Sequence, residues 1–447
     1  MTDFKITLPE QVNKIIHTLQ EHGFEAYAVG GCVRDTMLER VPGDWDITTS
    51  ATPFETKALF ERTFDTGIEH GTVTVLLKGE GYEVTTYRVD GAYEDMRHPK
   101  EVTFTRSLKE DLLRRDFTIN AMAYNDSDGL VDIFGGVDDL KEGIIRCVGN
   151  PMERFSEDAL RILRGVRFAA QLGFAIDEDT KTAMTALAKN LKNISAERIQ
   201  VEVVKMLTSA HPELIRLAYE LGITKEFLPE FDQLMETTQE TPHHMYTVGE
   251  HTIQAMRYVR NDRYLRLTML LHDMGKPKMK TMDADGVAHF KGHADVSEEM
   301  ARVILKRLKF DNDTLHTVTK LVKFHDYRID ARPKLVRRLM NKIGPELFPY
   351  YIEVRRADTL AQSVYEREEK LQNIADIEAI YKEILEKNQC VTLRDLAVDG
   401  KDLIDAGIPQ GKEIGETLHK LLAAVIEEPD LNTKDNLFKM VESVKKP

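Results

Sequence analysis

A change in hydrophobic pattern near residue 150 constrains the fold most strongly. After it, segments such as 155–172 and 196–207 repeat apolar residues at helical spacing. Before it, glycines and helical stretches separate short apolar runs rich in β-branched residues, at 26–29, 73–77, 82–88 and 102–104. The pattern predicts an α+β head followed by an all-helical remainder.

The chain is too long for one hydrophobic core. At 447 residues it exceeds the size at which a single core keeps growing, so we expect several domains. Polar stretches at 236–242 and 330–333 interrupt the helical pattern and indicate linkers. We therefore expect four parts: a head at 1–150, a helical neck at 151–235, a histidine-rich helical domain at 236–330 and a helical tail at 331–447.

The cysteines and the N-terminus bear on the compartment. The sequence starts without a basic segment followed by an apolar run, and no later stretch is apolar enough to span a bilayer. Cys32, Cys147 and Cys390 are widely spaced and form no CxxC pair. We expect a cytoplasmic protein with reduced thiols and no membrane association.

The charge distribution bears on nucleic-acid binding. A net charge of −14 argues against a surface that is coated with nucleic acid, because phosphate binding requires a basic surface. Lysines and arginines are nevertheless concentrated at 161–167, 302–323 and 332–342. Each cluster fits either a local basic groove or a solvated helix face.

The head contains a strand, a double-glycine turn and a helix start around Gly30-Gly31-Cys32-Val33-Arg34. Glycines let a ligand approach the backbone closely, and amides at a helix N-terminus favour an anion. Gly31 and Arg34 are therefore candidates for phosphate binding. A turn that needs glycine only for its geometry is the alternative.

Two carboxylates follow, Asp44 and Asp46, separated by Trp45. At i and i+2 on a strand they point to the same face and could hold hard divalent cations, which two-metal nucleotidyl transfer requires. Magnesium is the expected ion. Glu83, on a strand downstream, is the candidate third carboxylate; a solvent-facing residue of an edge strand is the alternative.

From Ala28 to about Leu207 the sequence resembles the class II tRNA nucleotidyltransferase and bacterial poly(A) polymerase family, whose head is similar to that of polymerase-beta-type transferases. The resemblance rests on five motifs in order. These are Gly30-Gly31-Cys32-Val33-Arg34-Asp35 with Asp44-x-Asp46, Arg114-Arg115-Asp116-Phe117-Thr118-Ile119-Asn120-Ala121, Asp132-x-x-Gly135-Gly136-x-x-Asp139-Leu140, Arg154-Phe155-x-Glu157-Asp158-x-x-Arg161, and Ala196-Glu197-Arg198-Ile199.

The resemblance implies roles for the nucleotide-binding residues. Asp116 and Asn120 would read the ribose 2′ hydroxyl, and Arg115 would bind the triphosphate. Asp158 and Arg161 would select the base, and Arg164 and Arg167 would add contacts along the same helix. Their chemistry agrees, because cytosine and adenine both present an exocyclic amine beside a ring-nitrogen acceptor, whereas uracil and guanine reverse that order. A surface ion pair between Asp158 and Arg161, which share one helix face at i and i+3, is the alternative.

Members of this family differ in the product they make. The segment 88–99 resembles the flexible loop of enzymes that add the terminal A, which disfavours CC-only addition. Gly43-Asp44-Trp45-Asp46-Ile47 is more similar to the CCA-adding pattern than to the Lys-Asp-Phe-Asp run of bacterial poly(A) polymerases. We expect addition of CCA to tRNA from CTP and ATP, with A-addition alone or poly(A) synthesis as alternatives.

The histidine-rich block resembles the HD phosphohydrolase superfamily. Its elements are His251, then Leu271-His272-Asp273-Met274-Gly275-Lys276, then Lys323-Phe324-His325-Asp326. The resemblance implies a metal site of His251, His272, Asp273 and Asp326. A nitrogen and oxygen ligand set without thiolate suits Mn, Ni, Co, Fe or Mg. His289 and His293 could serve a second metal.

Two interpretations of this block remain open. It is either an active phosphohydrolase acting on RNA 3′ ends or a helical body that keeps its ligands and cradles the acceptor stem. For the whole chain, a hydrolase with an inactive head and a non-enzymatic RNA-binding module are the rivals, and the intact Asp44 and Asp46 pair argues against both.

The tail is punctuated by glycines at 400, 407 and 411 and is similar to the tail of the same family. Its turn amides could bind RNA phosphates, although simple helix packing would give the same spacing. The expected partners are the tRNA acceptor stem and 3′ end, bound by shape and backbone, together with CTP and ATP. No obligate protein partner is indicated.

Overall fold

A buried strand organises the first of two compact units, residues 1–229. In the computed structural model, which describes residues 5–91 and 102–445, every residue of Ala26–Val29 is buried. The elements of this unit are α1 (Glu10–Glu21), β1 (Ala26–Val29), α2 (Gly31–Met37), β2 (Ile47–Thr49), α3 (Pro53–Leu59), β3 (Thr63–Gly67), β4 (Thr72–Leu77), β5 (Glu80–Thr86), β6 (Arg88–Asp90), β7 (Val102–Phe104), α4 (Leu108–Leu113), β8 (Met122–Asn125), β9 (Gly129–Asp132), α5 (Gly136–Glu142), β10 (Ile144–Ile145), α6 (Pro151–Glu157), α7 (Leu160–Leu172), β11 (Ala175–Ile176), α8 (Glu178–Leu187), α9 (Ala196–Leu207), α10 (Ile215–Glu220) and α11 (Thr224–Phe227).

Seven of these strands form one mixed sheet in the order β3-β4-β5-β2-β1-β8-β9. β2 runs parallel to β5, with Ile47 opposite Val84, and the other neighbours are antiparallel. The centre of the sheet packs on a core that includes Tyr27, Tyr87 and Leu112. This topology brings the end of β1, the start of β2 and the middle of β5 side by side, which positions the glycine turn beside the candidate metal ligands.

The second unit spans residues 230–447, and its described part, 230–445, is helical apart from one short hairpin. A glycine with φ of 76°, Gly286, turns that hairpin. The elements are α12 (Pro229–Glu236), α13 (Val248–Arg257), α14 (Arg263–Leu271), α15 (Lys276–Met279), β12 (Thr281–Met282), β13 (Ala288–His289), α16 (His293–Arg307), α17 (Asn312–Phe324), α18 (Pro333–Ile343), α19 (Phe348–Ala361), α20 (Arg367–Glu386), α21 (Gly400–Asp405), α22 (Lys412–Glu427) and α23 (Lys434–Lys445).

Two apolar clusters hold the C-terminal part of this unit. One contains Met340 and Phe348 and joins α18, α19 and α20; the other contains Leu403 and Leu437 and joins α21, α22 and α23. The predicted α+β head and helical remainder are therefore confirmed. Within residues 5–91 and 102–445, no helix combines the length and apolar character needed to cross a membrane.

The Asp-x-x-Gly-Gly motif supports the turn at 116–120. The Asp132 carboxylate accepts bonds from the Gly136 and Val137 amides, each at 2.9 Å, which fixes the start of α5. A Cβ on Gly136 would lie 2.4 Å from the backbone oxygen of Thr118. Only glycine at this position therefore lets α5 approach the turn so closely.

We predict that Gly136→Ala lowers the free energy of unfolding by about 1–3 kcal/mol, because the Cβ overlaps a backbone atom that cannot rotate away. Gly43→Ala is the matched control, since a Cβ there meets nothing within 4 Å. Thermal unfolding of both variants provides the measurement. Equal midpoints for the two variants would contradict the steric argument.

Candidate active site

The double-glycine turn presents two arginines. Gly30 ends β1 with a φ of 81°, and a Cβ there would lie 3.0 Å from Nη1 of Arg115. Glycine thus lets the Arg115 guanidinium lie against the turn. Gly31 begins α2, and Arg34, one turn later, donates to Oδ1 of Asn120 at 2.6 Å. Gly31, Arg34 and Arg115 are therefore brought together, as the phosphate-binding hypothesis requires.

Asp44 and Asp46 lie just before β2 rather than on it, because the strand begins at Ile47. The Asp46 carbonyl accepts a bond from the Val29 amide at 3.0 Å, which fixes this segment beside the end of β1. Since Ile47 pairs with Val84, Glu83 is the residue of β5 next to Asp46. The three carboxylates thus converge at one edge of the sheet.

The charges at this edge act on one another. The pKa of Asp46 is raised above its ordinary value, first because surrounding protein displaces water from the carboxylate, and then because of the negative charge on Asp44. Arg115 opposes the shift, and Glu83 adds to it. Asp44 and Asp46 are exposed residues. A divalent cation bound among these clustered and accessible carboxylates would relieve the repulsion between their negative charges.

Asp116 is the centre of a buried hydrogen-bond network. Its Oδ1 accepts from the Asn120 amide at 3.1 Å, and its Oδ2 accepts from Nε of Arg164 at 2.7 Å. Burial opposes the charge, but Arg164 and Asn120 outweigh it and lower the pKa of Asp116 to about 2. Because Asn120 also binds Arg34, the candidate ribose-reading and phosphate-binding residues form one connected unit.

The network continues along α7. Arg164 lies 4.0 Å and Arg167 2.5 Å from the buried Glu202 carboxylate on α9. The guanidinium of Arg167 also stacks 3.7 Å from the centre of the Phe168 ring. Burial is the main cause that lowers the pKa of Arg167 to about 10, although Glu202 opposes it. Arg164 and Arg167 are thereby fixed on one side of α7.

Asp158 does not share a helix face with Arg161. The single helix expected at 155–172 is broken, since α6 ends at Glu157, α7 begins at Leu160, and Asp158 is extended with φ of −135° and ψ of 102°. Its Oδ1 accepts from the Leu160 amide at 3.0 Å and so caps α7. This capping bond is the physical reason for the break. Arg161 is held by Glu157 at 2.9 Å and by the Arg114 carbonyl at 2.9 Å.

Several polar residues of this site were missed in the sequence. Asp111 is fully buried; burial opposes its charge, but Arg114 and Arg115 outweigh it and lower its pKa. Its Oδ2 accepts at 3.1 Å from the hydroxyl of Thr48, which follows Asp46 by two residues. Arg114 and Arg115 follow Asp111 by three and four residues, a spacing that in the sequence resembles an ion pair on a helix surface. Glu202 left a clearer signal, because it falls within the apolar stripe of α9.

In the second unit, four histidines converge on one aspartate. His251 and His272 form one metal-capable group with Asp273, and His293 and His325 form another with the same aspartate, in each case with ligand atoms within 4.8 Å of one another. His272 approaches Asp273 Oδ2 at 3.1 Å, whereas His293 approaches Oδ1 at 3.4 Å. The two groups thus share Asp273 through different oxygens.

The orientation of the histidine rings suits metal binding. Each Nδ1 lies against a backbone carbonyl, which can only accept, so each Nδ1 carries a proton and each Nε2 is directed toward the aspartates or the neighbouring histidines. The carbonyls belong to Ala361, Met269, Phe290 and Val322, at 3.3, 2.7, 2.8 and 2.6 Å. The Nε2 atoms of His293 and His325 are 3.1 Å apart. Two neutral rings would oppose lone pairs at that distance unless a cation lay between them.

Asp358, rather than Asp326, joins the ligand group. Oδ1 of Asp358 lies 2.9 Å from Nε2 of His251, whereas Asp326 lines the same cavity but accepts from Arg328 at 2.9 Å. Burial opposes the charge of Asp273 and Asp358, yet the neighbouring histidines hold the pKa of both well below the ordinary value. Sequence analysis missed Asp358, although an aspartate among the apolar residues of a helical segment, here α19, can indicate a buried ligand.

Two further expectations concern the second metal site at His289 and His293 and the loop at 88–99. His289 pairs with the exposed Asp283 at 2.7 Å and lies outside both ligand groups, so only His293 of that pair joins the cluster. The segment 88–99, expected as the A-adding loop, falls mostly on residues 92–101, which lie outside the described residues.

We predict that Asp116→Asn lowers the free energy of unfolding by about 2 kcal/mol near pH 6. This value follows because folding lowers the pKa of the Asp116 carboxyl group from 3.8 to about 2. A depressed carboxyl pKa stabilises the fold above the unfolded pKa, and this contribution disappears as the pH falls through the folded pKa. The difference from wild type should therefore shrink between about pH 4 and pH 2 in urea titrations. Asp138→Asn, whose side chain is 81% exposed, is the control. A difference that stays constant with pH would contradict this account.

Known proteins place the chain in one family. Residues 26–146 match the model of the poly A polymerase head domain, and residues 282–441 match that of tRNA nucleotidyltransferase domain 2. The CCA-adding enzyme of Leuconostoc mesenteroides is 36% identical over 98% of both chains, and that of Lactobacillus helveticus is 36% identical over 96% of both. The Bacillus stearothermophilus CCA-adding enzyme, solved in complex with CTP, aligns at 31% identity with a TM-score of 0.76 over 99% of this chain and 98% of that one. This chain belongs to the CCA-adding enzyme family and is a divalent-metal-dependent nucleotidyltransferase.

Proposed function

We propose that the first unit adds C, C and A in turn to the 3′ end of tRNA, consuming CTP and ATP and releasing pyrophosphate. The supporting observation is the convergence of Asp44, Asp46 and Glu83 beside the network of Arg34, Asn120 and Asp116. Relatives solved with CTP and with tRNA ending in CCA agree with this choice of substrates. They favour CCA addition over A-addition alone and over poly(A) synthesis.

We assign the carboxylates to magnesium. Asp44 and Asp46, with Glu83 as the third oxygen donor, fit a hard cation because they are accessible, clustered and anionic. When bound, the metal would lower the pKa of the tRNA 3′ hydroxyl and offset the charge of the triphosphate. The protein itself orients these carboxylates through the backbone bond between Val29 and Asp46.

The arginines and amides position the nucleotide. Arg34 and Arg115 flank the glycine turn and would bind the triphosphate. Asp116 and Asn120 would bind the ribose 2′ hydroxyl, because a carboxylate and an amide together offer an acceptor and a donor. Their positions are set in advance by Arg164, so little reorganisation accompanies binding.

Base selection is assigned to Asp158 and Arg161, with Arg164 and Arg167 beside them. Asp158 would accept the exocyclic amine of cytosine or adenine, and Arg161 would donate to the ring nitrogen. Uracil and guanine would set a carbonyl against the carboxylate and an N–H against the guanidinium, leaving both unpaired. Rejection of the wrong base therefore depends on Asp158 remaining in place.

We propose a second, metal-dependent phosphohydrolase activity in the second unit, toward phosphate esters at RNA 3′ ends. The supporting observation is the convergence of histidine Nε2 atoms on the carboxylates of Asp273 and Asp358. The cavity at this cluster, about 470 Å³, is also lined by Lys276 and Arg328, whose charges suit a phosphate. The ligands are nitrogen and oxygen atoms, which suit Mn, Ni, Co, Fe or Mg, and Asp326 gives way to Asp358 in the assignment.

The parts of the chain follow from these assignments. We propose that 1–150 is the transferase head, 151–235 the nucleotide-selecting neck, 236–330 with Asp358 the hydrolase-type domain, and 331–447 the tail that contacts the acceptor stem. We propose a cytoplasmic location, where tRNA, CTP and ATP meet.

The transferase proposal predicts a defined extension. Purified protein with magnesium, CTP and ATP should add C, C and A to tRNA lacking CCA and then stop. Asp44→Ala should reduce the rate by about 1,000-fold or more, because the metal stabilises the transition state by several kcal/mol. Asp65→Ala removes a half-exposed carboxylate of β3 and should leave the rate unchanged. Addition of A only, or of long A tails, would contradict CCA addition.

The hydrolase proposal predicts bound metal in the second unit. In an Asp44→Ala/Asp46→Ala background, the protein should retain manganese or nickel through dialysis, as measured by mass spectrometry of the metal. His272→Ala should remove most of it and should abolish hydrolysis of an RNA ending in a 2′,3′-cyclic phosphate. His419→Ala, an exposed histidine of α22, is the control. Equal metal content in both variants would refute the site.

A further inference from the structure

Asp158 lacks the support of a helix. It lies in the break between α6 and α7, and no helical face dictates where its carboxylate points. The Leu160 amide binds Oδ1 at 3.0 Å and restrains only that side of the group. A carboxylate on extended backbone could rotate away from an unfavourable base unless something else fixed it.

Arg198 on α9 supplies the missing restraint. Its Nη2 donates to Oδ2 of Asp158 at 2.8 Å, and its Nη1 donates more weakly to Oδ1 at 3.4 Å. A two-pronged guanidinium fixes the plane of a carboxylate as well as its position. Each carboxylate oxygen can accept two hydrogen bonds, so Oδ2 keeps a lone pair for an incoming amine.

The same helix face anchors the other end of the nucleotide-selecting stretch. Glu202 follows Arg198 by four residues, so both project from one side of α9, and Glu202 holds Arg167 at 2.5 Å. Ile199 and Val203 are buried beneath them and attach α9 to the core. The helix therefore serves as a rigid frame for Asp158 in the break and for Arg167 on α7.

We propose that Arg198 is a specificity-determining positioning residue. It holds the Asp158 carboxylate where the carbonyl of uracil or guanine would face it without a hydrogen bond. The inference rests on the proposed role of Asp158 in base selection. With Arg198 in place, a carbonyl of the wrong base faces a fixed anion, and that contact is costly. Without Arg198, Asp158 swings aside, the wrong base is no longer penalised, and the correct base loses its acceptor.

A difference in burial between the Arg198–Asp158 and Arg167–Glu202 ion pairs distinguishes a positioning role of Arg198 from a structural one. The Arg198 and Asp158 side chains are 26% and 16% exposed, whereas those of Arg167 and Glu202 are 8% and 6% exposed. Removing a partly exposed arginine leaves the core of α9 intact. The main consequence of losing Arg198 should therefore be seen in base selection rather than in folding.

The test is the ratio of kcat/KM for CTP over UTP on tRNA lacking CCA, and for ATP over GTP on tRNA ending in CC. Arg198→Met should lower both ratios by about 10- to 100-fold, the worth of a charged hydrogen bond. Arg198→Lys should fall between Met and wild type, because it keeps the charge without the fork. Lys205→Met, an exposed position on α9, is the control and should keep wild-type ratios.

Asp158→Ala separates the two levels of the argument. If Asp158→Ala lowers the ratios and Arg198→Met lowers the rates for all four nucleotides equally, Arg198 is merely structural and the inference fails while base selection by Asp158 stands. If Asp158→Ala leaves the ratios at wild-type values, the proposed base selection and the inference both fail. Thermal unfolding midpoints of the arginine variants within a few degrees of wild type show that the comparison concerns folded protein.

Discussion

The buried carboxylate of Asp116 is the interaction on which the first unit depends. It is paired with Arg164 and hydrogen-bonded to Asn120, and Asn120 binds Arg34 beside the glycine turn. A charge this deeply buried persists only when its partners satisfy it, so the positions of all four residues are coupled. Residues separated by more than a hundred positions in the sequence thereby present one preformed surface to a nucleotide.

The two candidate metal sites differ in their exposure to solvent. Asp44 and Asp46 are exposed at the edge of the sheet, as expected where ions must arrive with a nucleotide and leave with pyrophosphate. The cluster around Asp273 is buried, and the histidine tautomers are fixed by backbone carbonyls. A resident ion fits the second site better than an exchanging one. The chain therefore combines an accessible carboxylate cluster with a buried cluster of histidines and aspartates.

Local pattern predicted the elements well and tertiary contacts poorly. The apolar spacing at 196–207 gave α9 with its observed bounds, and the family resemblance singled out Asp116 and Asn120, which are hydrogen-bonded to each other in the structure. The pattern misassigned Asp158 to a helix face, because the capping bond to Leu160 competes locally with the helix. Asp358 was missed, and Arg198 was given no role of its own, because their contacts come from partners 107 and 40 residues away. No local periodicity encodes such contacts.

A double-mutant cycle on CTP binding tests the central claim, that phosphate, ribose and base residues act as one network through Asp116. Dissociation constants would be measured by calorimetry for wild type, Asn120→Ala, Arg164→Ala and the double variant. We predict a coupling energy of about 0.5 kcal/mol or more, because both residues bind the same carboxylate. Losses that add independently, to within about 0.3 kcal/mol, would contradict it.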